Sequence, residues 1–111
     1  MFNPMELMGK LKEMQEEMEN ARKRLDDIHV SAESGGGMVK VTANANRKVL
    51  KIEVDPEIMD PADKEIMEDL IAAAVNKVME EAEAKARDEI SQVSSNFMPN
   101  IPGMDLSNLG R

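Results

Sequence analysis

His29 is the one imidazole in a chain that contains no cysteine. A metal centre would need further His or Cys ligands at suitable spacing, and a nucleophilic relay would need a Ser–His–Asp partner set, neither of which surrounds it. Gly35-Gly36-Gly37 has the composition of a phosphate cradle but not its context. A P-loop needs Gly-Lys-Ser/Thr opening a helix, and a dinucleotide turn needs G-x-G-x-x-G between strand and helix. Here the glycines lie between two stretches of period-two hydrophobicity, which reads as a flexible hairpin loop. The many carboxylates crowd onto the solvent sides of helical segments, and no pair is singled out for a dry pocket with displaced pKa values. The sequence therefore predicts no catalytic residue, no metal, no cofactor and no small-molecule substrate.

The chemistry that remains is that of charge. Against 22 Asp+Glu stand 14 Lys+Arg, a net charge of −8, which excludes a uniformly basic coating for nucleic acid. Local exceptions exist. Lys40, Arg47, Lys48 and Lys51 lie in a stretch, 38–52, without an acid, and Arg22-Lys23-Arg24 forms a second cluster with Lys10 and Lys12 two to three turns earlier. Cations at a helix end also suit the dipole there, so the plain reading of Arg22 to Arg24 is a solvated helix terminus. Two Phe and no Trp or Tyr leave nothing for an aromatic base-stacking platform. Eleven methionines could form an adaptable binding surface, although Met14, Met18 and Met79 fall on apolar stripes and read as core. Asn76 falls on the polar side of its helix and acquires no role.

Periodicity defines the elements that carry these groups. Leu7, Leu11, Met14, Met18, Ala21, Leu25 and Ile28 alternate spacings of four and three, a heptad seam. With Asn3 as cap, Pro4 in the first turn and Glu6 in capping-box position, the spacing predicts a helix over 4–28, weakened at Gly9. Between 29 and 54 the period becomes two, with Val39, Val41 and Ala43 on one face and Leu50, Ile52 and Val54 repeating the pattern. This predicts a three-stranded antiparallel meander with Asn44-Ala45-Asn46-Arg47 in its second turn. Asp60-Pro61-Ala62-Asp63 opens a second helix over 61–93, along which Ile66, Leu70, Ala74, Val78, Ala82, Ala86, Ile90 and Val93 lie on a drifting stripe. Residues 94–111, with two Pro, two Gly and no periodicity, read as a mostly disordered tail.

The predicted class is thus α+β, a single domain over 1–93 with two long helices flanking a sheet. A compact domain of 111 residues measures roughly 34 Å across. The second helix alone would reach ~50 Å and the first ~37 Å. One chain offers one apolar sheet face and two long stripes, more than it can cover, so a homodimer with projecting helical arms is expected. The longest apolar run, Leu70 to Val75, is far below the ~18 residues of a membrane span. Together with an amino terminus lacking the shape of a signal peptide and the absence of Cys, this predicts a soluble chain suited to a reducing cytoplasm and no membrane partner.

The order of these elements, with Ser34-Gly35-Gly36-Gly37-Met38-Val39-Lys40-Val41, the strand end Ile52-Glu53-Val54-Asp55-Pro56, Asp69-Leu70-Ile71-Ala72-Ala73-Ala74-Val75-Asn76 and Ile101-Pro102-Gly103, resembles the YbaB/EbfC family of bacterial nucleoid-associated proteins. The resemblance spans residue 1 to about 103. It implies a cytoplasmic, nucleoid-located homodimer, without enzymatic activity, whose sheets form a joint body and whose helices embrace double-stranded DNA with little sequence preference, influencing chromosome organisation and gene expression. It nominates Lys10, Lys12, Arg22, Lys23 and Arg24 on the first helix, and Lys85 and Arg87 on the second, as DNA-binding residues. The sequence departs from the family's habit at Ala45, where relatives commonly carry Gly. An alternative of another class is an acidic homodimeric chaperone or adaptor without DNA binding, for which Met-rich stripes and long helices are also suited.

Overall fold

The computed structural model describes residues 3–97. Helix α1 runs Pro4–Arg24, sheet strands β1, β2 and β3 run His29–Ser34, Val39–Asn44 and Val49–Val54, and helix α2 runs Lys64–Phe97. The class is α+β, as expected. The molecule is elongated, with extents of 71 × 29 × 15 Å and a radius of gyration of 20.4 Å, where a compact chain of this size would have about 13 Å.

Asn3 caps α1 by accepting the Met5 N–H at 3.1 Å, and Pro4 occupies the first turn, where no intrahelical N–H is required. The helix continues intact through Gly9, beside which nothing lies within 4 Å. It does not continue to Ile28: the α-helix stops at Arg24 and Leu25–Asp27 form a single 3-10 turn. The cause is tertiary. The Ala45 N–H, from the β2–β3 turn, donates to the Leu25 and Ile28 carbonyls at 3.1 and 2.9 Å, and Ile28 is already extended.

The strands pair antiparallel in the order β1-β2-β3, with Ala32 opposite Val41 and Val41 opposite Ile52, and an irregularity between Thr42 and Ala43. Period two places Ala32, Val39, Val41 and Ala43 on one face, where Ile58, Ala74 and Val78 close over them. α2 lies over β1 and β2 and barely reaches β3. Ile52, opposite the inward Val41, therefore remains 46% exposed, and Leu50, left unpaired at the register shift, is 43% exposed. Ile66, on the predicted stripe of α2, is also left 54% exposed.

α2 begins later and ends later than its periodicity suggests. Pro61–Asp63 form a 3-10 turn capped by Asp60, which accepts the Ala62 N–H at 2.9 Å. At the other end Ser94–Phe97 are helical rather than part of a disordered tail. Val93 is buried, and the Ser95 hydroxyl donates to the Ser91 carbonyl at 3.1 Å, so this polar side chain is satisfied within the helix. The remainder of the expected tail, 98–111, lies outside the described residues. No described helix is long and apolar enough to cross a membrane.

Gly35-Gly36-Gly37 is not the loose loop that its composition suggests. All three residues are left-handed, at φ 60°, 64° and 93°, and Ser34 Oγ donates to the Leu70 carbonyl of α2 at 2.6 Å. A Cβ on Gly35 would meet Leu70 Cδ1 at 2.8 Å, whereas one on Gly36 would meet nothing within 4 Å. Gly36→Ala is expected to lower stability by about 1–2 kcal/mol through backbone strain alone. Gly35→Ala should lose that and more, because Leu70 must also move. Urea unfolding of the two variants measures the difference, and equal losses would show that the Leu70 contact is unimportant.

Candidate nucleic-acid interface

Three elements meet at the base of the projecting arm. Helices α1 and α2 pack against each other, and Ala21 of α1 and Ala82 of α2 are both fully buried. Between them enters the β2–β3 turn. Its Ala45 is buried, and its backbone is held from every side. Asn44 Oδ1, itself buried, accepts the Asn46 and Lys48 N–H groups at 3.0 and 3.1 Å. Asn46 Nδ2 donates to the Arg22 carbonyl at 3.2 Å and to Asp26 Oδ1 at 2.6 Å. An Ala at position 45 is accommodated here because its N–H, not a left-handed backbone, is what the position supplies: the left-handed residue of this turn is Arg47.

All seven nominated cations are exposed. Among the described residues the ion pairs are Arg47–Glu83 at 3.4 Å and Lys51–Glu53 at 3.5 Å, so none of the seven is tied to a carboxylate. They do not, however, form one face. At about 100° per residue, Lys12 and Lys23 fall within about 20° of each other and about 16 Å apart along α1. Lys10 and Arg22 flank the apolar seam on opposite sides, and Arg24 falls among Glu6, Glu13 and Glu17. Lys85 and Arg87 project from α2 in different directions for the same reason. The arrangement is a set of dispersed positive points on acidic helices, able to touch phosphates at several places but not to coat them.

What spacing along one helix could not reveal is the company of Arg87. A cleft of about 570 Å³ is lined by Arg47 and Asn46 from the turn and by Glu83, Arg87 and Ser91 from α2, with Ala45, Ala86 and Ile90 as its apolar lining. Arg47 had a signal in the sequence, the acid-free stretch 38–52, but that stretch does not say which of its cations meets a helix. Lys40, Lys48 and Lys51 are exposed on the sheet and its turn. His29 is exposed at the start of β1. No group of three or more His, Cys, Asp or Glu among the described residues could hold a metal ion.

Comparison with known proteins identifies the family. The profile of the YbaB/EbfC DNA-binding family matches residues 1–97. A nucleoid-associated protein of Flavobacterium johnsoniae is 43% identical over 101 residues, covering 91% of this chain and 93% of its own. Another, from Chlorobium luteolum, is 41% identical over 106 residues, 96% of this chain and 94% of its own. Among solved structures, an uncharacterized protein from Helicobacter pylori superposes with a TM-score of 0.69 at 25% identity, covering 79% of this chain and 92% of its own.

Proposed function

Since the chain belongs to the YbaB/EbfC DNA-binding family, we propose that it is a nucleoid-associated protein that grips double-stranded DNA through the phosphate backbone, as a homodimer, with little sequence preference. The observation that carries this reading is the set of exposed, unpaired cations on a narrow projecting arm of an otherwise acidic molecule. Affinity for a polyanion follows the local field at the contact rather than the net charge of −8. Scattered Lys and Arg position a duplex without reading its bases, and neither arm presents a convergent set of Arg, Asn or Gln readers. Lys10, Lys12, Arg22, Lys23 and Arg24 are assigned to α1's contacts, and Lys85 and Arg87 to those of α2. The chain then acts by organising the chromosome and influencing gene expression in the cytoplasmic nucleoid, and no catalytic step is assigned to it. Named relatives are nucleoid-associated proteins, which leaves the client-holding alternative without support.

Dimerisation is supported by the uncovered strand β3. Val49, Leu50 and Ile52 are 37%, 43% and 46% exposed, and Met59 and Ile66 are each 54% exposed. An open apolar strand edge associates with other chains unless it is covered, and a second copy related by two-fold symmetry covers both edges at once.

Fluorescence anisotropy of a labelled mixed-sequence duplex, titrated at about 50 and about 150 mM salt, tests the reading. If about six phosphates are neutralised, log K should fall with log salt at a slope near −5, so tripling the salt weakens binding by roughly 10²–10³. No binding at low salt into the tens of micromolar would overturn it.

A further inference from the structure

Arg47 is the one residue other than glycine with a left-handed backbone among the described residues, at φ 65°. Glycine would occupy that position without strain, so the turn itself has no use for a long, charged side chain there. A strained non-glycine residue held in place by its surroundings points to a task for its side chain. The surroundings are the hydrogen bonds of Asn44, Ala45 and Asn46 that fix the turn against α1. From this platform Arg47 reaches across to α2, where Nη1 donates to Glu83 Oε1 at 3.4 Å. Both side chains remain open to solvent, at 62% and 53% exposure. Such a pair is weak and exchanges partners readily. Arg87 lines the same cleft, with Asn46 and Ser91 as further hydrogen-bonding groups. The cleft thus holds two guanidiniums against one carboxylate, where the hairpin turn meets α2.

We propose that this cleft is a phosphate-contact site, in which Arg47 and Arg87 take a backbone phosphate of DNA and Glu83 is the placeholder that the phosphate displaces. The inference rests on the DNA-binding reading above and adds to it a residue outside the helical arms. A guanidinium suits the task because its planar fork meets two phosphate oxygens at once, with greater gain than a single carboxylate oxygen at 3.4 Å provides. Glu83 keeps the side chain extended across the cleft when no DNA is present and opposes the phosphate when it arrives. The two members of one ion pair should therefore act on affinity with opposite signs, which a purely structural ion pair would not do.

The test uses the full chain, a labelled mixed-sequence duplex and four proteins: the wild type, Arg47→Gly, Glu83→Gln and the double variant. Arg47→Gly removes the charge while relieving the backbone, so it should melt at or above the wild-type temperature and yet, for each Arg47 engaged, bind the duplex up to about tenfold more weakly with a salt slope shallower by about 1. Glu83→Gln should bind at least about twofold more tightly, and this gain should be smaller in the Arg47→Gly background. Arg47→Gln, which keeps the strained turn and removes only the charge, repeats the measurement should Arg47→Gly disturb the fold. Wild-type affinity and slope in both Arg47 variants would overturn the inference while leaving the wider reading intact. An equal gain from Glu83→Gln in both backgrounds would also overturn it, by reducing Glu83 to one negative charge among many. A wild type that fails to bind duplex at all overturns the parent reading, and this one with it.

Discussion

Reversal of Arg22, Lys23 and Arg24 to glutamate is expected to weaken duplex binding by at least about 10²-fold at about 0.1 M salt, with the dimer intact. Each phosphate that is no longer neutralised forfeits about one decade at that ionic strength, because its counterions are no longer released, and a dimer carries the altered turn twice. The three residues occupy the last turn of α1, so their reversal also opposes the helix dipole, by about 0.3–1 kcal/mol for each charge. Replacement by glutamine removes the cations without adding like charge to that turn, and separates weakened phosphate binding from a frayed helix. The positions of the three around the helix predict unequal shares: Arg24 lies among Glu6, Glu13 and Glu17, whereas Lys23 shares a direction with Lys12. Lys23→Gln should therefore cost more affinity than Arg24→Gln. Anisotropy titration, with circular dichroism and light scattering as controls, reads the outcome. Unchanged affinity in a folded dimer would remove α1's last turn from the interface.

The fold was legible wherever one period governed a segment. The seam from Leu7 to Leu25 marks α1, and the alternation Val39-Val41-Ala43 marks the strand at the centre of the sheet. Legibility failed where tertiary contacts overrode local pattern. Ile28 continues the heptad, yet the Ala45 N–H bonds its carbonyl and that of Leu25, and the helix ends four residues earlier. Three consecutive glycines suggest looseness, yet their left-handed geometry lets Ser34 reach the Leu70 carbonyl, a partner thirty-six residues away. The candidate interface divides in the same manner. Clusters of cations are visible as letters, but a cluster in sequence is a dispersion around a helix. The meeting of Arg47 with Glu83, also thirty-six residues apart, depends on where the hairpin turn enters between the helices. No periodicity within either segment encodes that.

Strand β3 poses the same problem at larger scale, and gives the second large effect. Its sequence follows the alternation of a buried strand, but α2 lies mainly over β1 and β2, so Ile52, opposite Val41, and Leu50, at the register shift, are left about half uncovered. Replacing both with glutamate should convert the protein from a particle of twice 12.3 kDa to one of 12.3 kDa by light scattering. If burying the remainder of each side chain contributes about 1 kcal/mol, and two-fold symmetry repeats both, the dimer loses about 4 kcal/mol, or roughly three orders of magnitude in dissociation constant. The isolated subunit should survive, because its core is Ala32, Val39, Val41, Ala43, Ile58, Ala74 and Val78, and none of these is altered. A dimer that persists in the double variant would place the interface elsewhere, and a wild type of 12.3 kDa would remove it altogether. The same variant bears on DNA. Contacts made through the phosphate backbone add with the number of phosphates neutralised, so a separated subunit should show about half the salt slope of the dimer. On the proposed reading, an acidic chain with only scattered cations gains its affinity by engaging two arms at once, and the uncovered strand is the surface that would bring the second arm.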